Sequence, residues 1–144
     1  MGSDMARFRF SQADRWAAMV KHRLDYVKVM TAARIMQAQQ RPRSSGGRMP
    51  VVTGELRDSL VVDAGGTLLI GAEAYRELIS LPPFEGNIRW GWTAPYADRI
   101  NYGFTGTDSL GRYYNQAGVH FIEYGEGLAK RIARDEAKRA SMME

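Results

Sequence analysis

Pro50-Val51-Val52-Thr53-Gly54-Glu55-Leu56-Arg57-Asp58-Ser59-Leu60 is the stretch on which the reading of this chain turns. Thr53 has the side chain of a helix N-cap, a hydroxyl that accepts from an orphan N–H one turn on. Glu55 in that first turn suits the positive end of the helix dipole. Leu56 and Leu60 are four residues apart and share a face, with Arg57 and Ser59 directed elsewhere. Gly54 beside the cap implies a close backbone approach or an unusual dihedral. Taken alone, these residues describe a capped connector helix.

Upstream, Ser11 and Asp14 make a capping-box-like start, and the pattern is helical from there to about Gln40. Trp16, Met19, Val20, Leu24, Val27, Met30 and Ile35 form one broad stripe, with Lys21, His22, Asp25 and Lys28 opposite. About 28 residues at ~1.5 Å each give a rod of about 40 Å, preceded by an N-terminal arm over residues 1–10. Arg23 and Arg34 interrupt the stripe and are expected to snorkel or to meet carboxylates. Tyr26, Val29 and Met36 fall outside it, which makes Tyr26 and Met36 candidates for contact with another subunit, against the bland alternative of scattered exposed apolar residues. Residues 41–49, with Arg41, Arg43 and Arg48 among serines and glycines, read as an extended, flexible, basic loop.

Downstream, Val61 and Val62, a turn through Ala64-Gly65-Gly66, and Leu68-Leu69-Ile70 predict a hairpin. Glu73 to Ile79 is a short helix stopped by Pro82-Pro83. Ile88 to Thr93 alternates, placing Ile88, Trp90 and Trp92 on one face of a strand. Pro95 suits the start of a short helix through Tyr102, with Gly103 at its end. Residues 104–118 read as a second extended loop with a brief strand around Arg112–Tyr114, and Val119–Ile122 as a further strand. A last helix spans about Glu123 to Met142, its apolar side carrying Phe121, Leu128, Ala129, Ile132 and Ala133. Glu126→Lys130 and Asp135→Arg139 are four-residue charge pairs on it, and the part beyond Arg134 is expected to leave the core.

The order of these pieces has a further meaning. A proline and two apolar residues, then Thr53-Gly54-x-Leu56-Arg57-x-Ser59-Leu60, a hairpin, and later Tyr96-Ala97-x-x-Ile100-x-Tyr102-Gly103 resembles the tail-completion and head–tail joining (neck) proteins of tailed bacteriophages. The similarity runs from about Pro50 to Gly103, with helices before and after. Where that family often has Glu-x-Gly-Thr, this chain has Asn101, Tyr102, Gly103 and Phe104; Gly118 to Ile122 replaces the family's Pro-Phe-bearing approach to the last helix. The resemblance implies a non-enzymatic structural virion protein at the head–tail junction, present in the host cytoplasm during assembly. Its partners would be identical subunits in a ring, neighbouring neck and tail-tube proteins, and passing DNA touched without sequence preference. Arg41, Arg43, Arg48, Phe104, Tyr113 and Tyr114 are the candidate interface residues beside Tyr26 and Met36.

Composition bounds the alternatives. The 144 residues are 44% hydrophobic and 25% charged, ordinary values for one globular domain. There are no cysteines, so disulfides and thiolate metal sites are excluded. No apolar run reaches bilayer length, and Met1 to Met5 lacks the basic start and apolar stretch of a signal peptide. His22 lies on the polar side of the first helix, and His120, between apolar residues, is expected to be buried or half-buried and structural. No hydrolase serine context, phosphate loop or paired carboxylates is visible. No enzyme activity, cofactor or metal is therefore expected. A net charge of +4 fits a solvated surface as well as nucleic acid. The rival reading is a small basic nucleic-acid-binding module, with Arg41, Arg43 and Arg48 near Trp90, Trp92, Tyr113 and Tyr114 for phosphate contact and base stacking. The fold expected is α+β, a small antiparallel sheet packed against a long N-terminal helix and a C-terminal helix.

Overall fold

The computed structural model describes residues 2–51 and 54–143, with the backbone alone for 2–11. The chain is α+β, as its pattern predicts. Helix α1 (Gly2–Gln39) leads to α2 (Glu55–Asp58), strands β1 (Leu60–Ala64) and β2 (Thr67–Ile70), and α3 (Ala74–Ser80). Then come β3 (Ile88–Trp92), α4 (Ala97–Tyr102), β4 (Gly103–Thr107), β5 (Tyr113–Ala117) and α5 (Phe121–Ser141). One antiparallel sheet has the order β2-β1-β3, and β4-β5 form a separate hairpin.

The central strand explains the core. Leu60, Val62 and Ala64 alternate inward on β1 and are all but fully buried. The β1–β2 turn is Gly65-Gly66, and Asp63 Oδ1 accepts the Gly66 N–H at 2.8 Å, closing it. Ala32, Ala33 and Met36 of α1, Leu69, and Ala74 and Leu78 of α3 complete this cluster. A second cluster gathers Met49, Leu56, Ala94, Ala97 and Phe121. Trp92 packs against both, with its ring set edge-on to Phe121 at 5.0 Å and 87°.

Helix α1 starts further upstream than Ser11. Its 38 residues span about 57 Å, and what reads as an arm over residues 1–10 is helical from Gly2. No proline interrupts Gly2–Ala13, and Ala, Met, Arg and Gln there favour helix. Trp16 and Leu24 of the expected stripe are 64% and 63% exposed, and Met36, expected outside it, is 0% exposed. The stripe averages a helix whose ends have different neighbours. Its last turns are enclosed by the sheet, α3 and α5, whereas residues 12–18 are exposed all round.

Residues 41–49 are a closed loop rather than an extended one. Arg43–Ser45 forms one 3-10 turn, Pro42 bridges to Met49, and Met49 is fully buried as the loop's apolar anchor. Residues 104–118 are the β4–β5 hairpin, not irregular chain. The Asp108 carboxylate builds its turn, accepting N–H groups of Leu110 and Arg112, both at 2.9 Å, and Arg112 Nε at 2.7 Å. Val119–Ile122 is not a strand. The Val119 and His120 N–H groups bond to the carbonyls of Ile100 and Asn101, and Asn101 Oδ1 accepts Ile122 N–H at 3.0 Å, so the helix opens at Phe121. His120 is consequently exposed, in the left-handed region at φ 53°.

The end of α5 stays in the core. Glu136 and Ala140 are 0% and 3% exposed, held along α1. Arg34 Nη1 and Arg139 Nη1 each reach Glu136 Oε1 at 3.0 Å, so Arg139 pairs with Glu136 rather than with the expected Asp135. Arg23 donates to the Met143 carbonyl at 2.6 Å. Both arginines that interrupt the α1 stripe thus reach α5 or the residues just beyond it.

Candidate functional site

The two stretches that carry the family resemblance are about forty residues apart and meet in one place. Thr53, expected as the N-cap, lies outside the described residues; Gly54 occupies the N-cap position of α2 in the left-handed region, at φ 81°. That conformation accounts for a glycine there. Leu56 is 4% exposed and packs with Ala97, Ile100 and Phe121. Ser59 Oγ donates to the Leu56 carbonyl at 2.7 Å. The Ser59 carbonyl in turn accepts the Thr93 N–H at 3.0 Å and its hydroxyl at 3.1 Å. Tyr96 hydrogen-bonds to Glu55; burial first, then that carboxylate, holds the phenol above its ordinary range. Gly103, at φ 87°, turns the chain from α4 into β4.

Arg57 and Arg41 line a groove of about 250 Å³ together with Gln37, Gln40, Glu73 and Tyr75. Arg43 and Arg48 lie elsewhere. They face His120, Glu123 and Tyr124 across a shallow cleft, with the Arg48 guanidinium 5.7 Å from the Tyr124 ring. The three loop arginines therefore serve two surfaces. Neither is the expected one with Trp90 and Trp92: Trp90 Nε1 donates to Gln39 Oε1 at 2.7 Å, and Trp92 is taken up by the two cores.

On the hairpin, Arg99 stacks over Phe104 at 4.1 Å, and Phe104 lies 6.5 Å from Tyr114. Tyr113 is 67% exposed and Leu110 76%. Tyr26 lines an apolar groove of about 290 Å³ with Met30, Ile79, Leu81, Pro83 and Phe84. Burial, then the Glu136 carboxylate, raises the titration of its phenol. Met36 takes no part in any surface.

Sequence reasoning missed the buried polar residues. Gln39 has a partner at each end of its amide, donating to the Ile122 carbonyl at 2.9 Å while accepting from Trp90. Asn101 accepts Ile122 N–H and donates to Glu123 Oε1 at 3.1 Å. A signal for Gln39 and Gln40 existed: they stand three and four residues beyond Met36, on its helical face.

Among the described residues no three His, Asp or Glu side chains gather as metal ligands, and no helix is long and apolar enough to cross a membrane. Comparison with known protein families, characterised proteins and solved structures finds no significant match.

Proposed function

We propose that this chain is a non-enzymatic structural subunit of the bacteriophage neck. Identical copies associate head-to-tail around an axis and close into a ring that completes the tail or joins it to the head. The reading rests on the order of Thr53-Gly54-x-Leu56-Arg57-x-Ser59-Leu60 and Tyr96-Ala97-x-x-Ile100-x-Tyr102-Gly103 in the sequence. One observation from the fold supports it: Leu56, Ala97 and Ile100 share a core, and Glu55 reaches Tyr96. The two stretches thus pack as one structural unit. Neighbouring neck and tail-tube proteins would meet the two faces of the ring, and DNA would pass through it.

The second reading, a small nucleic-acid-binding module, draws on Arg43 and Arg48 beside Tyr124. It loses its tryptophan platform, because Trp90 and Trp92 pack inward. Native mass spectrometry at assembly concentrations, with and without the neighbouring neck protein, separates the two. A closed oligomer is expected; a strict monomer under both conditions removes the ring, and a monomer that binds single-stranded DNA tightly favours the module.

A further inference from the structure

The groove between Arg41 and Arg57 is a polar site, and two of its lining residues, Gln40 and Arg57, each carry a buried polar atom with no partner among the described residues. Gln40, only 4% exposed, donates its amide to the Arg57 carbonyl at 3.1 Å. Among the described residues its buried Oε1 meets no donor, and the buried Arg57 Nε meets no acceptor. Unpaired buried groups of this kind are rare in folded proteins, because each forfeits a hydrogen bond that water would have supplied. The charges around them are uneven. Arg41 and Arg57 line the groove, and the one carboxylate among its described lining residues, Glu73, is already held by Arg76 Nε at 2.9 Å. What is wanted is an acceptor of negative charge for the arginines and a donor for Gln40.

We propose that this groove recognises an acidic peptide segment of a partner protein, with a carboxylate between Arg41 and Arg57 and a neighbouring peptide N–H serving Gln40. A guanidinium offers two parallel N–H groups that match the two oxygens of a carboxylate. Neither Arg57 Nε nor Gln40 Oε1 is open to solvent, so the incoming segment turns the Arg57 guanidinium and the Gln40 amide toward the groove, giving the Nε–H an acceptor and Oε1 a donor. A peptide suits better than sulfate, which has acceptors alone and leaves Gln40 Oε1 unserved; inorganic phosphate keeps an O–H at neutral pH and is the competitor to be tested. The groove volume, about 250 Å³, fits one or two side chains and not a folded surface. A single subunit carries the whole site, so the inference goes beyond ring closure and does not depend on it.

The test uses the full chain and a blocked peptide of glycine and glutamate, titrated while the arginine Nε–H signals are followed by NMR. The Arg57 signal is expected to shift, and the matching glutamine peptide to bind at least tenfold more weakly. Arg41→Gln, at an exposed position, should keep the fold and weaken the acidic peptide at least tenfold. Arg57→Lys should do the same by keeping charge but losing the fork, and Arg41→Gln carries the test alone if that variant fails to fold. Equal binding of the glutamine peptide, unchanged binding by Arg41→Gln, or inorganic phosphate moving the same signals at lower concentration would overturn the proposal. An oligomer that forms normally without peptide binding defeats this inference and leaves the ring standing.

Discussion

Leu56 and Arg57 are neighbours in sequence with opposite surroundings. Leu56 is enclosed by the Phe121 cluster, and Arg57 borders an open groove with its Nε unserved. Leu56→Ala should cost about 2–5 kcal/mol, the range for emptying a core position. Arg57→Ala should cost less than about 1 kcal/mol, since the carbonyl that Gln40 needs is retained and an unpaired donor is removed. Denaturant melts of both variants check this, and equal small shifts would show that the stretch does not organise the fold. Leu56 was legible because an apolar residue at helical spacing announces its own burial. Gln39, Gln40, Asn101 and Glu136 were not, because a polar residue is tolerated inside only through partners distant in sequence. Arg34 and Trp90 supply them from elements that no local pattern connects to Glu136 or Gln39.

At the scale of elements, α1 and α5 approach closely at Gly125. A Cβ there would meet the Gln39 side chain and approach the Ile35 carbonyl oxygen at 3.1 Å. Gly127, on the same helix, has nothing within 4 Å of that position. Gly125→Ala should therefore destabilise by about 1–3 kcal/mol despite the better helix propensity of alanine. Gly127→Ala should stabilise by about 0.5–1 kcal/mol. Thermal melts read the two signs, and the same sign for both would contradict the tight α1–α5 contact. The β4–β5 turn gives a pH dependence. The Arg112 N–H does most to hold the Asp108 carboxyl below its ordinary value; burial, next in size, opposes it, and the Arg112 side chain, the Leu110 N–H and the Tyr114 hydroxyl add to the lowering. A lowered value in the folded state means that its stabilisation is complete above the unfolded value, about 3.9, and is lost as pH falls through the folded one. Carboxyl NMR should place the Asp108 midpoint below that value, and Asp108→Asn should remove the hairpin's acid sensitivity. A midpoint at or above it would show that the turn does not depend on the ionised side chain. The first hairpin and the Ile88 strand could be read because strict alternation and a Gly-Gly turn are local signals. The second hairpin hid because Gly103, Gly106, Asn115 and Gln116 carry no apolar alternation, and its turn depends on one aspartate contacting residues two to six positions ahead.

For the whole molecule, the two segments that read as extended loops with candidate interface residues, 41–49 and 104–118, part ways. Residues 41–49 are held from within, by Met49 in the Phe121 cluster and by the Pro42–Met49 bridge. The β4–β5 hairpin has little such support beyond its base: every residue of β5 is exposed, and the ties to the body seen among the described residues are the turn out of α4, the Val119 and His120 N–H groups on the Ile100 and Asn101 carbonyls, and Arg99 over Phe104. A lone two-stranded hairpin is at best marginal in water, since ordering each residue costs about 1–2 kcal/mol and few contacts offset it. It also presents Leu110 and Tyr113, apolar side chains of the sort that become buried where two proteins meet. Hydrogen exchange of dissociated subunits should therefore find residues 41–49 protected to the level of their closed loop, and β5 amides exchanging far faster than those of β1. On assembly the β5 amides should slow by at least tenfold, and the amides of residues 41–49 should change little. Protection of β5 already equal to that of β1 in the free subunit would mean the hairpin is stable alone, and would remove it from the assembly surface. Slowing at 41–49 without slowing at β5 would move that surface to Arg43 and Arg48, whose cleft lies by His120 and Tyr124.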